Sequence, residues 1–146
     1  MTRDTVRFAA VGCGRVFERY HLPCVDARDT MELVGLVDTD VERARALVAD
    51  RPPVWTGTSV DRLIEETRPD VISVCTPNAA HAEPVLAALD AGVGVLCEKP
   101  LAATVEEARR MADHPAAEKL LGVNMPFRFH PLLEAFADAV RPGARR

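Results

Sequence analysis

A chain of 146 residues, 27% charged and 48% hydrophobic, is long enough to bury one ordinary core and too apolar to remain disordered. Its net charge of −4 argues against nucleic acid or an anionic membrane as a partner, and no apolar run approaches the roughly 18 residues that span a bilayer. Met1-Thr2-Arg3-Asp4 runs straight into the first apolar segment, so no signal peptide is expected. Cys13, Cys24, Cys75 and Cys97 are scattered without a Cys-x-x-Cys pair, which argues against zinc and points to a reduced, cytoplasmic setting.

In chain order, Val6 to Val11 reads as a strand and Gly12-Cys13-Gly14-Arg15-Val16-Phe17 as a turn opening a helix. That helix runs to about Ala27, with Val16, Phe17, Tyr20 and Val25 as its apolar positions and a kink or a displaced first turn expected at Pro23. Glu32–Val37 is a second strand ending at Asp38, and Val41–Val48 a helix stopped by Pro52-Pro53. Val54-Trp55 is a short strand, and Ser59 caps a helix over Val60–Thr67. Val71–Cys75 is β-branched and apolar, as a strand covered on both faces should be. After Thr76-Pro77-Asn78, His81–Ala91 is helical up to Gly92, and Val93–Cys97 is a strand followed by the loop Glu98-Lys99-Pro100. Thr104 and Glu107 form a capping box; Leu120–Val123 is a last strand and His130–Val140 a last helix.

Strands alternating with helices predict a single α/β domain, a doubly wound parallel sheet of the Rossmann type. Its ligand crevice lies outside the carboxyl ends of the strands, where every unusual loop of this chain falls.

At that crevice, Gly12 permits a tight turn and Gly14 a close backbone approach to a pyrophosphate, whose charge the following helix N-terminus favours. The third small residue of that fingerprint is replaced by Phe17, so the ring must turn aside or tilt the helix. Asp38 stands where an acid accepts from a ribose 2′-OH, favouring NAD over NADP; a turn or capping aspartate is the alternative, and Arg43 stands near enough to accommodate a 2′-phosphate. Thr76 and Asn78 offer polar groups about the stiffening Pro77, or form an ordinary turn. His81 caps or packs the start of its helix, with a direct catalytic role as the lesser reading. Lys99 could donate to a substrate oxygen, with Glu98 orienting it or binding a ribose; a surface ion pair is the competing view. Pro100 is a candidate for a cis bond.

The set Gly12-Cys13-Gly14-Arg15-Val16, Thr76-Pro77-Asn78-Ala79-Ala80-His81, Glu98-Lys99-Pro100-Leu101-Ala102 and Arg128-Phe129-His130-Pro131 resembles the glucose–fructose oxidoreductase/inositol dehydrogenase (Gfo/Idh/MocA) family across nearly the whole chain. The resemblance implies NAD, with NADP possible, and hydride transfer to or from a secondary alcohol or ketone of a sugar or polyol. It implies Lys99 at the substrate and nicotinamide, assisting proton transfer. By the same resemblance Gly12, Cys13, Gly14, Arg15, Val16, Asp38, Thr76, Pro77, Asn78, His81, Glu98, Lys99 and Arg128 would contact the cofactor, Arg128 from near the crevice.

It further implies a nucleotide-binding domain over residues 1–125, with 126–146 forming a crossing helix and the truncated start of a second domain. The substrate pocket and remaining catalytic groups of the family lie in that second domain, so weak or no turnover is expected of this polypeptide alone. Phe127, Phe129, Leu132, Leu133 and Phe136 are then candidates for an exposed patch that self-associates or binds a partner. Two other readings stand beside this one: a non-catalytic dinucleotide-binding module or remnant working with a separate chain, and a methyltransferase with a related fold.

Overall fold

The structure, a computed structural model, describes residues 5–140; the predicted ends of the chain, 1–4 and 141–146, lie outside them. Six strands form one parallel sheet: β1 (Val6–Val11), β2 (Met31–Val37), β3 (Trp55–Gly57), β4 (Val71–Val74), β5 (Gly94–Glu98) and β6 (Leu121–Asn124), in the order β3-β2-β1-β4-β5-β6. The order reverses between β1 and β4, and this switch point opens a crevice at their carboxyl ends. Helices α1 (Leu22–Asp26), α2 (Val41–Leu47), α3 (Val60–Thr67), α4 (Ala82–Asp90), α5 (Val105–Ala112), α6 (Ala117–Leu120) and α7 (Pro131–Val140) make up the remainder.

The period of two along β1 divides the core. Phe8 and Ala10 face one layer with Phe17, Leu22, Val25 and Ala44; Ala9 and Val11 face the other with Leu63, Val85, Leu89 and Met111. The caps are as the sequence suggests. Ser59 accepts from the Arg62 N–H at 3.3 Å, and Thr104 accepts from the Glu107 N–H at 3.2 Å.

The first helix departs from expectation. Residues Phe17–His21 wind as a π-turn leading into α1, closed by the Leu22 N–H on the Phe17 carbonyl. The wider turn carries the Phe17 ring fully into the core, a burial worth about 1.5–3 kcal/mol. It also shifts the phase of the helix. Tyr20, read as apolar-facing, is 62% exposed, and His21 is buried in its stead. Of the two expectations at Pro23, the structure has the displaced first turn: α1 begins anew at Leu22, and Pro23 sits in its first turn, where its missing N–H breaks no helical bond.

Strand β5 runs one residue further than predicted, so Glu98 belongs to the sheet and pairs in register with Asn124 of β6. At the far end, Phe127, Phe129, Leu132, Leu133 and Phe136 are all exposed, from 46% at Leu133 to 76% at Phe129. Among the described residues no helix is long and apolar enough to cross a membrane.

Candidate functional site

A cavity of about 660 Å³ opens at the switch point, within the size range of cofactor sites. Its walls are Gly12, Gly14, Arg15 and Val16 after β1, Asp38, Thr39 and Arg43 after β2, and Cys75, Thr76 and Pro77 after β4, with Glu83 and Ala87 of α4.

The two glycines do different things. Gly12 has φ +91°, and a Cβ there would lie 2.7 Å from backbone atoms of Cys75 and Thr76. It lets the β1 and β4 loops touch. A Cβ on Gly14 would meet no protein atom within 4 Å, so that position opens onto the cavity. Open backbone beside a helical N-terminus, with the Arg15 guanidinium adjacent and exposed, suits a pyrophosphate. This is the fit a dinucleotide requires.

Asp38 is 6% exposed. Its Oδ2 accepts from the Cys13 N–H at 2.8 Å and its Oδ1 from the Asp40 N–H at 2.9 Å, so it both shapes the glycine loop and edges the cavity. Arg43 spans the acids above it, 3.5 Å from Asp38 and 3.7 Å from Asp40. Cys13 itself points inward; burial first, then the Asp38 charge, pushes its thiol up to about 12. Burial likewise raises Cys75 to about 11 and Cys97 to about 12. These thiols stay protonated and act as small apolar residues.

The remaining predicted site residues lie outside the cavity wall. His81 is fully buried, with Nε2 2.9 Å from the Thr76 carbonyl and Nδ1 3.1 Å and 3.2 Å from those of Pro100 and Leu101. Both nitrogens lie against carbonyls, and His81 pins the β4 loop to the β5 loop behind the cavity wall. Asn78 is exposed on a short 3₁₀ turn, Asn78–Ala80, whose last residue, Ala80, lines the cavity while Asn78 does not. Arg128 is exposed on a second such turn, Pro126–Phe129, beyond β6.

Glu98 is also turned from the cavity. Oε1 accepts from His21 Nε2 at 2.8 Å and Asn124 Nδ2 at 2.6 Å, and Oε2 from the Lys99 N–H at 3.1 Å. Burial by itself would raise this carboxyl, but the hydrogen bonds from His21, Asn124 and Lys99 outweigh it and hold Glu98 below its usual range. Its carboxylate ties β5 to the helix after the glycine loop and to β6. The Lys99–Pro100 bond is cis. The Lys99 side chain is exposed and has no partner among the described residues. His21, Ser73 and Asn124 were missed in the sequence, because nothing local marks them as neighbours of Glu98.

Residues 6–125 match the model of an oxidoreductase family described as an NAD-binding Rossmann fold, Gfo/Idh/MocA. D-glucoside 3-dehydrogenase of Escherichia coli is 36% identical over 89% of this chain and 36% of its own length. The WlbA dehydrogenase of Bordetella pertussis, solved with NADH and UDP-GlcNAcA, superposes with a TM-score of 0.80 at 27% identity over 93% of this chain and 42% of that one. KijD10, a 3-ketoreductase from Actinomadura kijaniata solved with NADP and TDP-benzene, gives 0.79 at 28% over 92% and 42%. The chain thus spans well under half the length of these relatives. With residues 6–125 matched and a switch-point cavity edged by Gly12, Gly14 and Asp38, the chain belongs to the Gfo/Idh/MocA oxidoreductase family, of which it carries the NAD-binding Rossmann fold.

Proposed function

We propose that this chain is the cofactor half of an oxidoreductase that moves a hydride to or from a secondary alcohol or ketone of a sugar or polyol. The observation that carries the reading is Gly14: its α-carbon faces open space in the same cavity that Asp38 and Thr76 edge. When bound, the dinucleotide supplies the hydride donor or acceptor. This chain's own residues hold and orient it. Gly14 and the N–H groups after it take the pyrophosphate, Arg15 adds charge, and Thr76 and Pro77 line the route onward. Lys99, with its ammonium free, hands a proton to the substrate oxygen on reduction or receives one on oxidation. The relatives, a D-glucoside 3-dehydrogenase and a dehydrogenase solved with UDP-GlcNAcA among them, support a sugar-like substrate.

NADH is the preferred partner in this reading, since Asp38 and Asp40 set two acids where a 2′-phosphate would fall. A like-charge contact of about 1–4 kcal/mol makes NADPH bind roughly tenfold or more weakly. Calorimetric titration of the chain with each nucleotide tests this. Preference for NADH, with NADPH weakened further in Arg43→Ala, supports it; no binding of either overturns it. Residues 126–140 begin the family's second domain, and their exposed phenylalanines form the surface that domain covers. The isolated chain therefore turns over weakly or not at all, and self-associates through that patch. A monodisperse monomer in sedimentation would contradict the last point. Four unpaired cysteines suit a reducing cytoplasm. The family match leaves no support for methyl transfer.

A further inference from the structure

A largely buried polar cluster lies behind the loop that carries Lys99, outside the cavity wall. His21 is 7% exposed and Ser73 fully buried. His21 Nδ1 lies 2.9 Å from Ser73 Oγ, and Nε2 lies 2.8 Å from Glu98 Oε1. A carboxylate only accepts, so Nε2 carries a proton and donates it to Glu98, leaving Nδ1 for the Ser73 hydroxyl. Ser73, His21 and Glu98 follow the order of a hydrolytic triad. Burial of Ser73 in β4 denies its hydroxyl any substrate, and that reading fails.

What the cluster does reach is the backbone of Lys99. One Glu98 oxygen is fixed by two donors, His21 and Asn124, and the other closes on the Lys99 N–H. The bracket draws on the π-turn after the glycine loop, on β5 and on β6. His21 stands on the helical segment whose first residues, Arg15 and Val16, wall the cavity. The position of Lys99 is therefore referenced to the same segment that edges the cofactor space. An apolar side chain of similar volume beside Phe17 would serve the core at lower desolvation cost. The polar pair must then do something else.

We propose that His21 is a positioning residue for Lys99, acting through the Glu98 carboxylate. The proposal rests on Lys99 being the proton-handling group of the reading above. His21 touches neither substrate nor cofactor. It fixes the direction from which the Lys99 side chain leaves the sheet, so that its ammonium meets the reacting oxygen without first searching for it.

The sequence contains two lysines, Lys99 and Lys119, so a chain labelled with [15N]lysine reports two backbone amides, one of them an internal control. His21→Leu is expected to speed hydrogen exchange at Lys99 about tenfold, the value of one charge-assisted hydrogen bond, and to leave Lys119 unchanged. His21→Gln keeps a donor near Nε2 and is expected to restore the slow rate. Where His21→Leu does not fold, Asn124→Ala removes the second donor to Oε1 and accelerates Lys99 alone. Unchanged exchange at Lys99 in a folded variant, equal acceleration of both lysines, or failure of glutamine to rescue would each overturn the proposal. NADH titration of the same samples separates the two readings: wild-type protein that binds no NADH ends the cofactor assignment, while the Lys99 comparison still decides the role of His21.

Discussion

The β1 loop and the β5 loop lie at the same end of the sheet, on either side of the β4 loop, and use their polar groups in opposite ways. After β1, the backbone at Gly14 faces open space and Arg15 is exposed beside it. After β5, the Glu98 carboxylate is taken by His21, Asn124 and Lys99, and the Pro100 and Leu101 carbonyls are taken by His81. One loop leaves its hydrogen-bonding capacity for a ligand. The other is tied to the protein through Glu98 and His81 and holds the Lys99 side chain exposed. Binding is shaped by what a loop leaves unmade, and positioning by what it has already made.

The largest effect that would break this contrast belongs to Gly12. Gly12→Ala adds a Cβ at φ +91°, 2.7 Å from the Cys75 and Thr76 backbone. Strain of about 1–3 kcal/mol adds to the collision, so thermal denaturation should show severe destabilisation or no folded protein. Gly14→Ala, two residues on, should leave stability within about 0.5 kcal/mol while NADH affinity falls by about tenfold or more. Equal stability loss in the two variants would erase the distinction between a glycine kept for the fold and one kept for the ligand.

Glu98→Gln sharpens the other half. It should cost about 1–3 kcal/mol at neutral pH through the lost charge-assisted bonds. Because the folded carboxyl titrates below its ordinary 4.5, its contribution is complete above that pH and is lost as pH falls through the lower folded value. Denaturant midpoints of the two proteins should therefore converge in acid and separate above pH 4.5. A constant gap at every pH would deny the carboxylate its role. The smallest effect is at the cysteines. In the native state a thiol reagent at mildly alkaline pH should modify exposed Cys24 first, since Cys13 and Cys97 are buried and raised to about 12, and half-buried Cys75, at the cavity wall, is raised to about 11.

The sheet and the glycine turn were legible in the sequence because their signals are local. Apolar runs end in glycine, aspartate or proline, and each strand's loop necessarily falls at the same end of a parallel sheet. Phe17 announced a disturbance but not its form. A π-turn inserts the ring and rotates the helix, which hides Tyr20's exposure and His21's burial from any 3.6-residue reading. Glu98 looked like a loop residue because charge rarely ends a buried strand; one extra paired position, opposite Asn124, turned its side chain inward. His81 looked available for the same reason any histidine in a loop motif does, and only the carbonyls of residues far along the chain show it to be engaged. Partners at long sequence separation leave no mark on a single sequence.

The most direct test of the cofactor site is an NMR titration of the [15N]-labelled chain with NADH. The account predicts saturable shifts at Gly14, Arg15 and Thr76, with those at Met31 to Leu33 on the opposite end of the sheet unmoved. Shifts confined to other regions, or none at all, would contradict it.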